Sequence, residues 1–243
     1  MNSDKILIEE HIVAWDNISM NNNLYWSDLN RMFQQAAVNH AENLGFGFTD
    51  ISKENISWVL FRLHIEVLRL PGWKEKVIVK TWPSEVKTIS AFREFEMVSI
   101  SGEPLCNASS EWMIIDMKTR KPRRIDEFHK FDGIMTKRKT LSVPVPGYSA
   151  KGGFADIFTD EVRFSNMDMN GHMNAKHYFV WLADAFYLKF GKRDVSFLSM
   201  TYFNECLLGE KIVIQQSLDS PDVFRGIKQE SGKVAFLAKT KLK

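Results

Sequence analysis

Two cysteines in 243 residues are too few for a disulfide framework, and Cys106 and Cys206 lack the paired spacing of a structural zinc site. A reducing cytoplasm is the expected home, and neither a metal nor another cofactor is implied. Excess charge is also missing. Lys and Arg number 32 against 30 Asp and Glu, a formal net charge of +2, so nothing in the total demands nucleic acid or a membrane surface. Any electrostatic partner must be met by a local patch. No run approaches the ~20 apolar residues that cross a bilayer. The opening MNSDKILIEEHIVAW has neither the basic-then-apolar order of a secretory signal nor the Arg/Ser-rich character of a transit peptide. What is present, 44% hydrophobic and 26% charged residues, is globular, with length for one large domain or two of about 120 residues.

The chain reads as one plan written twice. Residues 6–15 alternate weakly and predict a strand, and the polar stretch SMNNNLYWSD leads into a helix. Leu29, Met32, Phe33, Ala36, Ala37, His40 and Leu44 then share one helical face, closed by Gly45. From residue 56 strand patterns follow, with turn signals at Pro71-Gly72, Pro83-Ser84 and Ser101-Gly102. Residues 141–153 concentrate Pro, Gly and Ser and read as a linker between repeats at 1–140 and 154–243. Beyond it the order returns: a strand near 157–164, a polar loop, a helix over about 175–190 closed by Gly191, and more strands. WKEKVIVKT echoes LGEKIVIQQ, which favours a structural duplication. The second helix is apolar around most of its circumference, so a sheet should wrap it on several sides. A long helix cradled by an antiparallel sheet is the hot-dog arrangement. Two copies predict an α+β tandem hot-dog fold, as a monomer with an internal pseudo-dimer or as a homodimer.

Just before that helix stands NMDMNGHMNAKHY, residues 166–178. In an extended segment Asp168, Asn170, His172 and Asn174 project together, while Met167, Met169, Gly171 and Met173 face a core. Carboxylate, amide and imidazole would then stand in a row at the edge of an apolar cavity.

This segment, with YFNECLLGEKIVI downstream and WSDLNRMFQQAAVNHAENLG, WVLFRLHIEV and MKTRKPRRI upstream, resembles the acyl-acyl-carrier-protein thioesterases of plants and bacteria over nearly the whole chain. The resemblance implies hydrolysis of a fatty-acyl thioester on acyl carrier protein. It implies Asp168, Asn170 and His172 as the polar catalytic triplet, Glu205 as the carboxylate and Cys206 as the adjacent thiol. Ala175 departs from the pattern, where many relatives carry a second asparagine. It further implies that the first repeat reads acyl length, with Trp58, Phe61 and Trp112 as channel candidates.

Thioester hydrolysis needs an activated water or a covalent nucleophile, plus donors where charge develops on the carbonyl oxygen. Asn174 is a candidate N-cap, so N–H groups at the helix start, Ala175 among them, are candidate oxyanion donors. Glu205 is the preferred base, because desolvation at the rim of an apolar tunnel strengthens a carboxylate as a proton acceptor. Asp168 either orients His172 or shares in activating the water. Cys206 with His172 and Asn170 would make a papain-like alternative. In a regular strand Glu205 and Cys206 face opposite sides, so only one meets His172.

Lys118, Arg120, Lys121, Arg123 and Arg124 form the best candidate contact for an acidic carrier protein, and read equally as a solvated hairpin tip. His40, His64 and His177 read as packed histidines and Cys106 as a small core residue. Rival functions are an acyl-CoA thioesterase on the same scaffold, a hot-dog dehydratase or hydratase, and a silent acyl-binding module.

Overall fold

The computed structural model describes residues 5–126, 131, 133–142, 149 and 151–243. The chain divides into two compact units, Met1–Val143 and Pro144–Lys243. Of the span expected as a linker, residues 143–148 and 150 lie outside the described residues.

Unit 1 runs β1 (Leu7–Ile12), α1 (Trp26–Asn43), a short α2 (Phe48–Ile51), β2 (Ile56–Val67), β3 (Lys76–Val86), β4 (Ala91–Ser99) and β5 (Pro104–Asp116). Its strands lie in the order β1-β3-β4-β5-β2, with antiparallel pairing. Unit 2 runs β6 (Phe154–Glu161), α3 (Ala175–Phe190), β7 (Val195–Tyr202), β8 (Lys211–Ser217), β9 (Val223–Lys228) and β10 (Val234–Leu242). Its order, β6-β8-β9-β10-β7, is the same permutation of first, third, fourth, fifth and second strand. Each unit is a hot-dog repeat, and the chain is a tandem of two.

The helix faces follow from spacing. Leu29, Met32, Phe33, Ala36, Ala37 and His40 are all buried on α1, with Phe33 against Phe95 of β4 at 4.9 Å between ring centroids. Gly45 stands just past the end at φ +76°, a left-handed position that glycine adopts without strain. On α3 the buried face is Tyr178, Phe179, Trp181, Leu182, Ala185 and Phe186, while Val180, Tyr187 and Leu188 are exposed. The sheet therefore covers one side of this helix, not several as its composition suggested.

Pro83-Ser84 is not a turn. β3 runs on to Val86, with a register shift between Pro83 and Glu85 where the proline has no N–H for the ladder. The reversal comes later, where Lys87 N–H meets Ser90 O at 2.7 Å. Among the described residues no helix is long and apolar enough to cross a membrane.

Candidate active site

The segment ahead of α3 is a closed turn, not an extended row. Phe164–Asn166 form one turn of 3-10 helix, and Met167 and Met173 then pair as an antiparallel bridge. The tip between them is held by Asp168 N–H to His172 O at 2.7 Å and Gly171 N–H to Asp168 O at 3.1 Å. Asp168 folds back on its own loop. Its Oδ1 accepts the N–H groups of Asn170 at 2.8 Å and His172 at 3.1 Å, the competition with the ladder that short carboxylates win in turns. The expected alternation is lost as a result. Met173 is buried, but Met169 is 78% exposed at the tip, and Asn170 is exposed beside it.

Glu205 and Cys206 lie beyond the end of β7 at Tyr202. Phe203 and Asn204 both donate to Ala235 O, at 2.8 and 3.2 Å, so strand alternation does not govern the two residues that follow. Glu205 Oε2 stands 3.2 Å from His172 Nε2, with the two side chains 38% and 22% exposed. Cys206 is fully buried. Burial pushes its thiol up to about 11, away from the thiolate a nucleophile needs. Its backbone is fully engaged: the N–H donates to Tyr178 Oη at 3.3 Å, and the carbonyl accepts Met173 N–H at 3.0 Å.

Asn174 caps α3, its Oδ1 accepting Lys176 N–H at 3.0 Å. His177 N–H goes to Asn174 O, also at 3.0 Å. Of the first-turn donors this leaves Ala175 N–H with no acceptor among the described residues, at the positive end of the helix. Asn166 braces the loop from behind: its carbonyl accepts Asn174 N–H at 2.8 Å, and its amide lies 3.3 Å from His177 Nδ1. Burial, with Lys176 adding to it, holds His177 below the usual histidine range.

The site is thus an imidazole–carboxylate pair beside a helix start, on the second of two hot-dog repeats. Residues 5–130 match the acyl-ACP thioesterase N-terminal domain and residues 156–242 the acyl-ACP thioesterase C-terminal domain. The chain belongs to the acyl-ACP thioesterase family. Among its relatives, a chloroplastic acyl-[acyl-carrier-protein] hydrolase of Cuphea viscosissima is 28% identical over 193 residues, 73% of this chain and 46% of that protein. A chloroplastic oleoyl-acyl carrier protein thioesterase of Arabidopsis thaliana is 24% identical over 82% of this chain and 59% of its own length. The chain thus spans about half of the length of these plant relatives. A crystal structure of an acyl-ACP thioesterase from Bacteroides thetaiotaomicron superposes with a TM-score of 0.88 at 24% identity, covering 100% of both chains. The 12:0-ACP thioesterase from Umbellularia californica gives 0.83 at 19% identity, over 98% of this chain and 97% of that one. At such identities the two structures speak for the fold alone.

Unit 1 of this family member contains the same loop with different side chains. Ile18 and Leu24 form the bridge, Ser19 N–H meets Asn23 O at 2.9 Å, and Asn22 N–H meets Ser19 O at 3.0 Å. Asn22, at φ +62°, takes the place of Gly171, and Leu24 N–H to Pro71 O at 2.9 Å mirrors the bond from Met173 to Cys206. Ser19, Asn21, Asn23, Leu70 and Pro71 therefore stand where unit 2 has Asp168, Asn170, His172, Glu205 and Cys206. No carboxylate or imidazole occupies any of those five positions.

The remaining candidates lie in unit 1. Trp58 packs against a small core of Phe46, Ile51, Ile56, Ile114, Ile125 and Phe131, donating its indole N–H to Phe46 O at 3.0 Å. Phe61 sits in the β2 irregularity between Leu60 and Arg62, with the Arg62 guanidinium 4.3 Å from its ring. Trp112, opposite Leu60, donates to Ser110 Oγ at 2.7 Å. Lys118, Arg120, Lys121, Arg123 and Arg124 are all exposed on the turn that follows β5. Among the described residues Arg123 stands 3.7 Å from Asp116 and Arg124 2.8 Å from Asp126, exposed pairs of small energetic weight.

Spacing did not single out Tyr178. It reads as one more aromatic on an apolar helix, and only its hydroxyl's contact with the Glu205 loop distinguishes it.

Proposed function

We propose that the chain hydrolyses fatty-acyl thioesters carried on acyl carrier protein, releasing free fatty acid and the carrier thiol and so ending chain elongation. The observation that supports this best is the 3.2 Å contact between His172 Nε2 and Glu205 Oε2, beside a helix whose first N–H is unspent. Glu205 takes a proton from water, and the resulting hydroxide attacks the thioester carbonyl carbon. The carbonyl oxygen becomes an oxyanion held by Ala175 N–H. Collapse breaks the C–S bond, and the proton held on the pair returns to the departing sulfur. His172 orients Glu205 and spreads the positive charge of the transferred proton. Asn170 positions the water or polarises the carbonyl, and Asp168 acts by fixing the backbone beneath both.

In this reading unit 2 is catalytic, and unit 1, with its unarmed loop, receives the acyl chain near Phe61 and Trp112. The exposed basic turn from Lys118 to Arg124 meets an acidic carrier protein. Two buried cysteines, neither in a disulfide, suit a reducing compartment such as the cytoplasm.

The test is single-turnover hydrolysis of a panel of acyl-carrier-protein thioesters, with matched acyl-CoAs, by wild type, Glu205→Gln and Cys206→Ala. Loss in Glu205→Gln with activity kept in Cys206→Ala is expected. An acyl-enzyme that accumulates in wild type and vanishes in Cys206→Ala sinks the water mechanism. Faster turnover of the CoA esters transfers the function to acyl-CoA, and no cleavage at all leaves an acyl-binding protein.

A further inference from the structure

The backbone of Cys206 attaches the Glu205 loop to two other parts of the site. Cys206 O accepts Met173 N–H at 3.0 Å, which ties it to the loop that carries His172. Cys206 N–H donates to Tyr178 Oη at 3.3 Å, which ties it to α3 one turn beyond Asn174 and Ala175. Tyr178 itself is 4% exposed, fixed edge-on by Tyr202 at 5.1 Å and Phe236 at 5.5 Å between ring centroids. Imidazole, carboxylate and helix start are thereby referred to one another through the backbone of Cys206.

From this geometry we infer that Tyr178 is a positioning residue for the reaction proposed above: its hydroxyl holds Cys206, and through it sets Glu205 against His172. The inference rests on that proposed reaction for its kinetic arm only. It assigns the cysteine beside Glu205 a role in its peptide group, with the side chain filling a buried site. Tyr178 touches neither substrate nor reacting atoms. Removing its hydroxyl leaves the Cys206 N–H buried without an acceptor, and a loop can relieve that only by turning.

The experiment is a double-mutant cycle between Tyr178→Phe and Glu205→Gln, read by single-turnover hydrolysis and by NMR of the His172 ring in labelled full-length protein. Tyr178→Phe is expected to lower kcat about tenfold, the effect of one lost buried hydrogen bond, with KM unchanged. In the Glu205→Gln background the same change should alter the rate less than about twofold, because two residues acting through one group are not additive. The His172 ring resonances should move in the same direction in both single variants. Trp181→Phe, which removes the indole bond to Asp160 at 2.9 Å from the same helix, controls for lost stability and should leave both readouts in place. Equal rate losses in both backgrounds overturn the inference, as does a His172 ring indifferent to Tyr178→Phe. If wild type cleaves no thioester the proposed reaction fails, and the ring resonances alone decide whether Tyr178 positions the pair.

Discussion

Replacing Ala175 by proline removes a single atom pair from the site, the N–H at the start of α3. Asn174 uses its Oδ1 for Lys176 N–H and its carbonyl for His177 N–H, each at 3.0 Å, so the proline breaks no hydrogen bond among the described residues. The first helical position tolerates proline well, and the residue before it already has the extended conformation that proline demands, Asn174 at φ −61°, ψ 134°. Stability should hold or rise by about 0.4–1 kcal/mol as the unfolded chain loses freedom. The rate should not survive. Losing one oxyanion donor costs about 2.7–4 kcal/mol, on the order of 100- to 1,000-fold in kcat. Thermal melting and single-turnover hydrolysis of one acyl-carrier-protein thioester suffice, with Ala175→Gly, which keeps the N–H, as control. A well-folded Ala175→Pro variant with wild-type kcat would falsify the placement of the oxyanion at this helix start.

Four further outcomes are expected. Native Cys206 should resist iodoacetamide near pH 7, since a thiol at about 11 is on the order of one part in 10,000 ionised there; rapid labelling counts against a buried, inert side chain. Gly226→Ala should cost on the order of 1–3 kcal/mol in denaturant melts, because its Cβ would lie 2.2 Å from Phe236 Cε1. Burial, and secondarily Arg62, hold His64 at about 4, below its ordinary value near ~6.5. The stability it permits is therefore complete above about 6.5 and lost as pH falls toward 4, and His64→Gln should flatten melting temperature across that window. Arg123→Glu with Arg124→Glu should raise KM for acyl carrier protein substrates and weaken the salt dependence of kcat/KM, leaving kcat in place; unchanged salt dependence removes this turn from the docking surface.

Periodicity carried most of the fold. The α1 face from Leu29 to His40 and the glycines closing both long helices are spacing and stereochemistry, which a linear string displays directly. The duplicated plan was visible as well, though it took the identical strand permutation to show how far it extends. The loop ahead of α3 was legible as a cluster of polar residues and illegible in its shape. Strand alternation was the wrong template for 166–174, because an aspartate able to accept two N–H groups closes a turn where a ladder would have formed. The same template was wrong past Tyr202, where two consecutive N–H groups share one carbonyl. Tyr178 lay beyond reach for another reason: a tyrosine's packing and its hydrogen bond are written with the same letter.

The unarmed loop of unit 1 bears on how such a protein can change. Identical subunits in a symmetric dimer share one gene, so every substitution appears in both halves. Joining two repeats in one chain removes that constraint. Ser19, Asn23 and Leu70 mark a half that has the same backbone frame with different side chains, so its interior can change without altering the residues of the other half. Restoring Asp, His and Glu at those three positions asks whether the frame alone still remembers how to hold them.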